Sequence, residues 1–414
     1  MSNRENSIVF TPAWVGPLQL KNRLVRSATH DNAAASGGEI SEFQVDLYRS
    51  LAEGGVGLII TGAASVYPKA SFTHGGIHAD NDSFISSLEK IPRAVRKVGS
   101  DCRVMLQLVH PGRQVIHRED TAKVVPLLPP ALIAYIRKHP EAMAPPAEAV
   151  HEVERTAPSA VLDATFDRTP RALTQDEIGE IIEAFAEGIR RAQEAGFDGV
   201  QLHAAHGWLL SSFLSPRTNQ RDDQYGGSTE NRTRIIKQIY QRARKKVGDR
   251  FPILIKFNTT DFLPGGIELD EAVRVGKTLS EVGFAALEAS GGMWESCTRT
   301  KEELGWPPVV LPESRTGIET DDQEAYFLPG ARALKEKTKA TVILVGGLRS
   351  FGKIEEVLTS KGADFVSLSR PLIRQPDLPN RWHSGEGPDK AECISCNACI
   401  PIGSARTGCR VKNP

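Results

Sequence analysis

The sequence predicts an α/β protein built on a closed (β/α)₈ TIM barrel. Short apolar runs alternate with amphipathic helical runs along most of the 414 residues, a pattern that favours a parallel sheet. The runs form eight strand–helix pairs, which favours a closed barrel over an open doubly wound sheet. No Gly-x-Gly-x-x-Gly follows a strand, so a dinucleotide-binding fold has no direct support.

The elements follow in order along the chain. After a short N-terminal cap, strands are expected at residues 23–28, 56–61, 102–108, 199–202, 253–258, 285–290, 341–345 and 365–369. Helices are expected at residues 41–53, 81–97, 174–192, 228–247, 269–282, 328–338, 350–360 and near 371. The third helix has the clearest start, because Thr174 and Glu177 fit a capping box and apolar residues then recur at helical spacing.

Two segments break this rhythm. Residues 111–170 are rich in proline, and a long excursion of this kind is either a cover over a site or a disordered insertion. We favour a cover, because Leu127–Tyr135 is apolar enough to pack on other residues. The second segment is a cysteine-rich C-terminal tail. We therefore divide the chain into a barrel, residues 1–390, and a tail, residues 391–414.

Composition excludes some function classes. Acidic and basic residues balance at 51 each, so net charge does not indicate nucleic acid or an anionic membrane as a partner. No apolar run is long enough to span a bilayer, and the first residues lack the apolar core of a signal peptide. We expect a cytoplasmic protein that acts on a small molecule, and a homo-oligomer is compatible with the sequence.

Active sites of such barrels lie at the C-terminal strand ends. The candidate residues at these ends are Ala28, Thr29, His30, Ala63, Gln107, His203, His206, Lys256, Gly346, Gly347, Ser369 and Arg370. Gly346 and Gly347 either form only a tight turn or let backbone N–H groups approach a phosphate, and Arg370 favours the phosphate. His203 and His206 are candidates for holding one substrate oxygen; a metal site and plain burial are the alternatives.

The stretch from His203 to Arg234 reads HAAHGWLLSSFLSPRTNQRDDQYGGSTENRTR. It resembles the signature of the old yellow enzyme family of flavin-dependent oxidoreductases, also called NADH:flavin oxidoreductases. NRLVRSAT, QLVHPGR, VGGLRS and DFVSLSRP look like further segments of that family.

The resemblance implies an FMN enzyme. FMN would bind through backbone near Ala28 and Ala63 and through Gln107, with its phosphate at Gly347 and Arg370. Lys256 stands where the family usually has Arg, and would place charge near the flavin N1–C2=O edge. His30 stands near the flavin C4=O, where the family often has Thr or Cys.

The implied reaction begins with reduction of the flavin by NAD(P)H. Hydride then passes to an electron-poor α,β-unsaturated carbonyl whose oxygen is held by His203 and His206. The alternatives are an oxidative N-demethylase or amine dehydrogenase that passes electrons to an external carrier, and a non-redox, phosphate-binding barrel.

One departure concerns Trp208, which stands where the family has a proton-donating Tyr. An indole N–H is a hydrogen-bond donor but not a useful acid. Another group or water then supplies the proton, or the reaction is not ene reduction. From the sequence alone we expect slow reduction of simple enones and acceleration by Trp208→Tyr.

The tail carries Cys393, Cys396, Cys399 and Cys409. This spacing resembles the segment that binds a [4Fe–4S] cluster in 2,4-dienoyl-CoA reductase and trimethylamine dehydrogenase. The alternatives are a zinc site and a tail without metal. Those relatives continue into further domains, so we expect a cluster here to have no electron acceptor within the chain.

Overall fold

The computed structural model describes residues 4–68, 75–115, 117, 120–143, 153–403 and 405–411. Its strands are β1 (Ala13–Val15), β2 (Leu18–Leu20), β3 (Leu24–Arg26), β4 (Leu58–Ser65), β5 (Ile77–His78), β6 (Arg103–Val109), β7 (Thr156–Ala157), β8 (Arg171–Ala172), β9 (Gly199–Ala204), β10 (Ile253–Asn258), β11 (Ala286–Ser290), β12 (Thr341–Val345) and β13 (Phe365–Leu368).

Eight of these strands form a closed parallel barrel in the order β3-β13-β12-β11-β10-β9-β6-β4, and a further pairing of β3 with β4 closes the ring. The predicted fold class is therefore confirmed. The main boundary difference is in β4, which continues past the expected end at Thr61 to Ser65 and there pairs with β5. The register of β4 against β6 shifts between Ile60 and Ala63.

The helices are α1 (Glu42–Glu53), α2 (Ile85–Leu88), α3 (Lys90–Lys97), α4 (Thr121–Val124), α5 (Pro130–Lys138), α6 (Gln175–Glu194), α7 (Leu209–Leu214), α8 (Thr229–Val247), α9 (Leu269–Val282), α10 (Lys301–Leu304), α11 (Leu328–Lys337), α12 (Phe351–Thr359), α13 (Arg370–Arg374) and α14 (Leu378–His383). The capping box at Thr174 and Glu177 is present. The single helix expected at residues 81–97 is divided into α2 and α3. Among the described residues, no helix is both long and apolar enough to cross a membrane.

The half of the barrel interior nearer the N-terminal ends of the strands is an apolar layer. Its side chains are Val25, Leu58, Ile60, Met105, Leu254, Ala286, Ile343 and Phe365. The antiparallel hairpin β1–β2 closes the N-terminal end by burying Val15 and Leu20 completely against this layer. Large-to-small changes in such a layer typically cost 2–5 kcal/mol, roughly. The apolar layer therefore gives the C-terminal end of the barrel a rigid support.

The described part of the proline-rich excursion is packed, as the cover interpretation requires. Leu128 and Leu132 from the first half of the excursion form a buried cluster with Val310, and Ile400 and Ile402 of the tail pack against it. The tail is also bonded to the loop after β3. Thr407 donates from its N–H to the Asp31 carbonyl at 2.9 Å and from its hydroxyl to the His30 carbonyl at 2.7 Å. Excursion and tail thus both lie at the C-terminal end of the barrel.

Candidate active site

Above the apolar layer, the barrel interior becomes polar. Side chains alternate along a strand, so the residue two positions after an inward-facing residue also faces the interior. These residues are Ser27, Gln107, Gln201, Lys256, Glu288 and Ser367, and all are buried. This set, here called the polar layer, forms the floor of the barrel end where the active sites of such barrels lie.

Hydrogen bonds run across the polar layer from one strand to the next. Gln107 Nε2 donates to Gln201 Oε1 at 2.7 Å, and Gln201 Nε2 donates to Glu288 Oε2 at 2.6 Å. Lys256 Nζ lies 3.3 Å from Glu288 Oε1 and donates to Ser27 Oγ at 3.0 Å. Gln107 and Lys256 are predictable from the sequence as strand ends, whereas Glu288, whose carboxylate opposes the charge of Lys256, is not.

His203 and His206 lie together above this floor, with ring centroids 5.1 Å apart and planes at 83°. His203 Nδ1 accepts from the Ala205 N–H at 3.4 Å, an arrangement that leaves the ring proton on Nε2. His206 Nε2 lies 2.8 Å from Ser290 Oγ. The His206 N–H donates to Asn258 Oδ1 at 3.0 Å. The ends of β10 and β11 therefore orient the second histidine of the pair.

Both imidazoles are held neutral. Burial lowers the pKa of His203 well below its usual value, and the Lys256 ammonium lowers it further. Burial likewise lowers the pKa of His206, with smaller contributions from His203 and Lys256. A neutral imidazole carries one N–H donor, so the pair can donate hydrogen bonds to a substrate oxygen without protonating it.

The glycines after β12 have the backbone that the sequence suggested. Gly346 and Gly347 have φ of 132° and 73°, values that side-chain-bearing residues rarely adopt. A Cβ on Gly347 would lie 2.6 Å from both Ile318 and Tyr326, so the chain here leaves no room for a side chain. This conformation fits a phosphate cradle, and it also permits close packing against Tyr326.

Arg370 is buried at the start of α13. Its Nη1 donates to the Arg315 carbonyl at 2.7 Å and to Asn397 Oδ1 at 2.6 Å. Ser369 beside it is joined to the loop after β3, because its hydroxyl lies 2.8 Å from Thr29 Oγ1. The structure thus brings Thr29, Ser369 and Arg370 to one place, with Arg370 already engaged by the tail.

The remaining candidates lie at the ends of β3 and β4. Ala63 is buried in β4. Tyr48 fixes the backbone before it, since its hydroxyl accepts from the Gly62 N–H at 2.9 Å and donates to Asp31 Oδ2 at 3.0 Å. Ala28 and His30 follow β3, and burial lowers the pKa of His30. These residues line the same end of the barrel as the histidine pair.

The four tail cysteines line one partly open cavity, together with Arg370, Asn397 and Arg374 among others. None of the four forms a disulfide. Among the described residues, no three His, Cys, Asp or Glu side chains come close enough to hold a single metal ion. A tetrahedral Zn–S distance of about 2.3 Å needs thiolates in near contact, whereas a four-iron cluster carries its thiolates further apart on separate irons.

The loop after β11, residues 291–327, also covers the site and contacts the tail, because Asn397 donates from its amide to the Ser314 carbonyl. Arg315 of this loop lies over the rings of Trp306 at 3.5 Å and Tyr326 at 4.4 Å. Glu313 of the same loop points its Oε1 to within 3.9 Å of His206 Nδ1. Glu313 could not be predicted from the sequence, because a single glutamate in an irregular loop has no pattern that marks it.

Trp208 stands beside the histidine pair. Its ring centroid lies 5.9 Å from that of His203 and 5.7 Å from that of Trp294. Together the two tryptophans form an aromatic wall next to the imidazoles. An aromatic ring there can pack against a flat substrate, but the indole still offers no acid.

Known proteins resemble this chain over most of its length. A family model described as NADH:flavin oxidoreductase / NADH oxidase family matches residues 8–387. An NADH oxidase of Thermoanaerobacter brockii is 32% identical over 394 residues, 95% of this chain and 53% of that protein. A metal reductase of Desulforamulus reducens is 30% identical over 391 residues, 94% of this chain and 51% of that protein. The chain thus spans about half the length of these two relatives.

A solved structure of 2-naphthoyl-CoA reductase in complex with 2-naphthoyl-CoA superimposes with a TM-score of 0.81. The alignment covers 98% of this chain and 57% of that chain, at 23% sequence identity. At this identity the likeness supports the barrel fold and not a shared substrate.

Proposed function

Because the chain belongs to the NADH:flavin oxidoreductase / NADH oxidase family, we propose that it is an FMN-dependent oxidoreductase. It takes electrons from NAD(P)H and passes hydride to an electron-poor substrate of the α,β-unsaturated carbonyl type. The observation that carries this proposal is the pair of neutral imidazoles, His203 and His206, above a floor that contains Gln107 and Lys256.

The residues present fit a flavin mononucleotide. Gln107 uses its amide N–H₂ on Gln201 and keeps a carbonyl oxygen that can accept from the flavin pyrimidine edge. Among the described residues, Ser367 Oγ and Arg315 Nε are buried without a hydrogen-bond partner. Such atoms are rare unless a bound group satisfies them. Gly346, Gly347 and Arg370 would hold the phosphate, and Ala28, Thr29, His30, Ala63 and Ser369 would line the ring and its linker.

The bound flavin supplies hydride transfer, and the protein's own groups position and polarise the substrate. His203 and His206 donate to the carbonyl oxygen, and negative charge develops on that oxygen as the β-carbon is reduced. The imidazoles need no reorganisation for this, since Ala205 and Ser290 already fix the two rings and Asn258 fixes the His206 backbone. The Trp208 and Trp294 rings exclude water from one side of the substrate.

The tail is the second part of the proposal. Cys393, Cys396, Cys399 and Cys409 would hold a [4Fe–4S] cluster in the cavity that they line. Burial raises the pKa of Cys399 to about 11, and the nearby Arg370 opposes that rise. Iron binding would keep the thiolates ionised.

The test is the spectrum and content of the protein purified without oxygen. We expect a flavin absorbance, FMN as the only flavin released on denaturation, and bleaching by NADH or NADPH. Bleaching by methylated amines but not by nicotinamides would support an amine dehydrogenase instead. A colourless protein that gains no absorbance when incubated with FMN would contradict the proposal and favour a non-redox, phosphate-binding barrel.

A further inference from the structure

Ene reduction needs a proton at the α-carbon as well as hydride at the β-carbon. Trp208 cannot supply this proton, although it stands next to His203. The two histidines cannot supply it near neutral pH either, because burial keeps both of them unprotonated. If the proposed function is right, some other group at this end of the barrel must act as the acid or water must do so.

Glu313 has the position that such a group needs. Its Oε1 lies 3.9 Å from His206 Nδ1. Its Oε2 is buried and has no hydrogen-bond partner among the described residues. The loop around it is anchored, because Tyr326 donates from its hydroxyl to the Glu313 carbonyl at 2.7 Å. The carboxyl group is therefore held beside the histidine that would bind the substrate oxygen.

The surroundings of Glu313 favour a neutral carboxylic acid. The groups that face it are Lys256 from β10, Arg370 from α13, His206 from the loop after β9 and Tyr326 from the segment before α11. Burial raises the pKa of Glu313 to about 7, and a hydrogen bond from its own backbone N–H together with the two cations only partly opposes this rise. A general acid works best when its pKa is close to the working pH.

We propose that Glu313 is the catalytic acid that protonates the substrate α-carbon, in place of the residue at position 208. The substrate β-carbon gains a hydride from the reduced flavin, and the π electrons of its C=C bond move toward the carbonyl oxygen held by His203 and His206. A new C–H bond then forms at the α-carbon with the proton from Glu313 Oε2, and the carbonyl is restored. The Glu313 carboxylate takes a proton back from water after the product leaves.

This inference rests on the proposed function, and the two are tested separately by following each half-reaction without oxygen. Glu313→Gln keeps the size of the side chain and removes its acid. We expect flavin reduction by NAD(P)H to change less than about twofold, and reoxidation by a simple enone to slow by about 10²–10⁴-fold, the usual contribution of a general acid. Glu319→Gln, on the exposed part of the same loop, is the matched control and should change neither rate.

The pH dependence gives a second readout. The parent's reoxidation rate should fall as pH rises through about 7, since the acid form of Glu313 is lost there, and this limb should be absent in Glu313→Gln. Glu313→Asp should restore part of the rate and the pH limb.

A third readout needs neither flavin nor turnover. Infrared difference spectra of the flavin-free protein between pH 5.5 and 8.5 should contain a protonated-carboxyl band that titrates near 7 and is lost in Glu313→Gln only. Equal flavin content and melting temperature in all variants would show that they are folded.

The outcomes separate the two proposals. A parent protein whose flavin is not reduced by NAD(P)H overturns the proposed function, and this inference with it. Normal reduction combined with unchanged reoxidation and an unchanged pH limb in Glu313→Gln overturns this inference alone. This inference is also overturned if Glu313→Gln only raises the KM for the enone and keeps the fall in rate as pH rises through about 7. Glu313 would then merely position His206.

Discussion

Arg370 Nη1 donates a hydrogen bond to Asn397 Oδ1 over 2.6 Å, and this bond connects the proposed phosphate site to the cysteine segment. Asn397 lies between Cys396 and Cys399, and its own amide donates to the Ser314 carbonyl. The tail, the loop after β11 and the start of α13 therefore meet at one guanidinium. Flavin binding and the state of the tail should be coupled through it.

This coupling predicts graded losses of flavin. Arg370→Ala should release most of the FMN and leave a folded, paler protein, because the phosphate loses its charge-assisted partner. Asn397→Ala should weaken FMN binding by about 10- to 150-fold, since a lost hydrogen bond to a charged group costs about 1.5–3 kcal/mol. Flavin-to-protein ratio and FMN titration measure both effects. If Arg370→Ala retains the parent's flavin content, the phosphate assignment is wrong.

The buried pair of Lys256 and Glu288 should tune the flavin potential. Glu288 opposes the charge that would stabilise an anionic reduced flavin, so Glu288→Gln should raise the reduction potential. Lys256→Met should lower it. We expect each shift to be on the order of 30 mV, about 1.4 kcal/mol for a two-electron couple. Anaerobic titration against a redox dye measures this, and shifts of the same sign in both variants would refute the assignment.

Trp208→Tyr is a further test of where the proton comes from. The sequence alone suggested that this change accelerates enone reduction. With Glu313 beside His206, we now expect the reoxidation rate to change less than about threefold, because an acid is already present. An acceleration of about 10²-fold or more, the usual effect of a general acid, would mean that the parent lacks an effective acid. Single-turnover kinetics with a simple enone decide this.

The tail should bind iron and sulfide. Protein purified without oxygen should contain about four of each per chain if the cavity among the cysteines holds a four-iron cluster. Cys396→Ser should lose both, whereas Cys297→Ser, a buried thiol distant in sequence from the tail, should retain them. Zinc in place of iron would contradict the cluster, and the absence of both metals would leave a tail without a metal role.

Most of the architecture could be predicted from the sequence, because apolar runs bounded by polar residues mark buried strands. His203 and His206 could be predicted as neighbours, since they follow one strand end and are three residues apart. Glu288 and Gln201 could not, because they lie inside strands and only the closed barrel makes those positions face each other. Glu288 lies two residues before Ser290, and Gln201 lies two residues before His203. Residues two apart on a strand share a face, and this spacing could have revealed them.

Contacts between segments distant in the chain were beyond sequence reasoning. The bond from Arg370 to Asn397 depends on how the tail folds back, and the approach of Glu313 to His206 depends on an irregular loop. Neither segment has a periodicity that fixes its path. For the same reason, the pKa of Glu313 follows from burial that only the assembled site provides.

The central claim is that hydride passes from NAD(P)H to an enone held by two neutral histidines. Stopped-flow spectroscopy of both half-reactions, in the parent and in His203→Ala, tests this claim most directly. We expect NAD(P)H to bleach the flavin in both proteins at rates within about threefold. A simple enone should restore the colour in the parent, and at least about 10²-fold more slowly in the variant, the loss expected for one oxyanion donor. Equal rates of enone reoxidation in the two proteins would contradict the account.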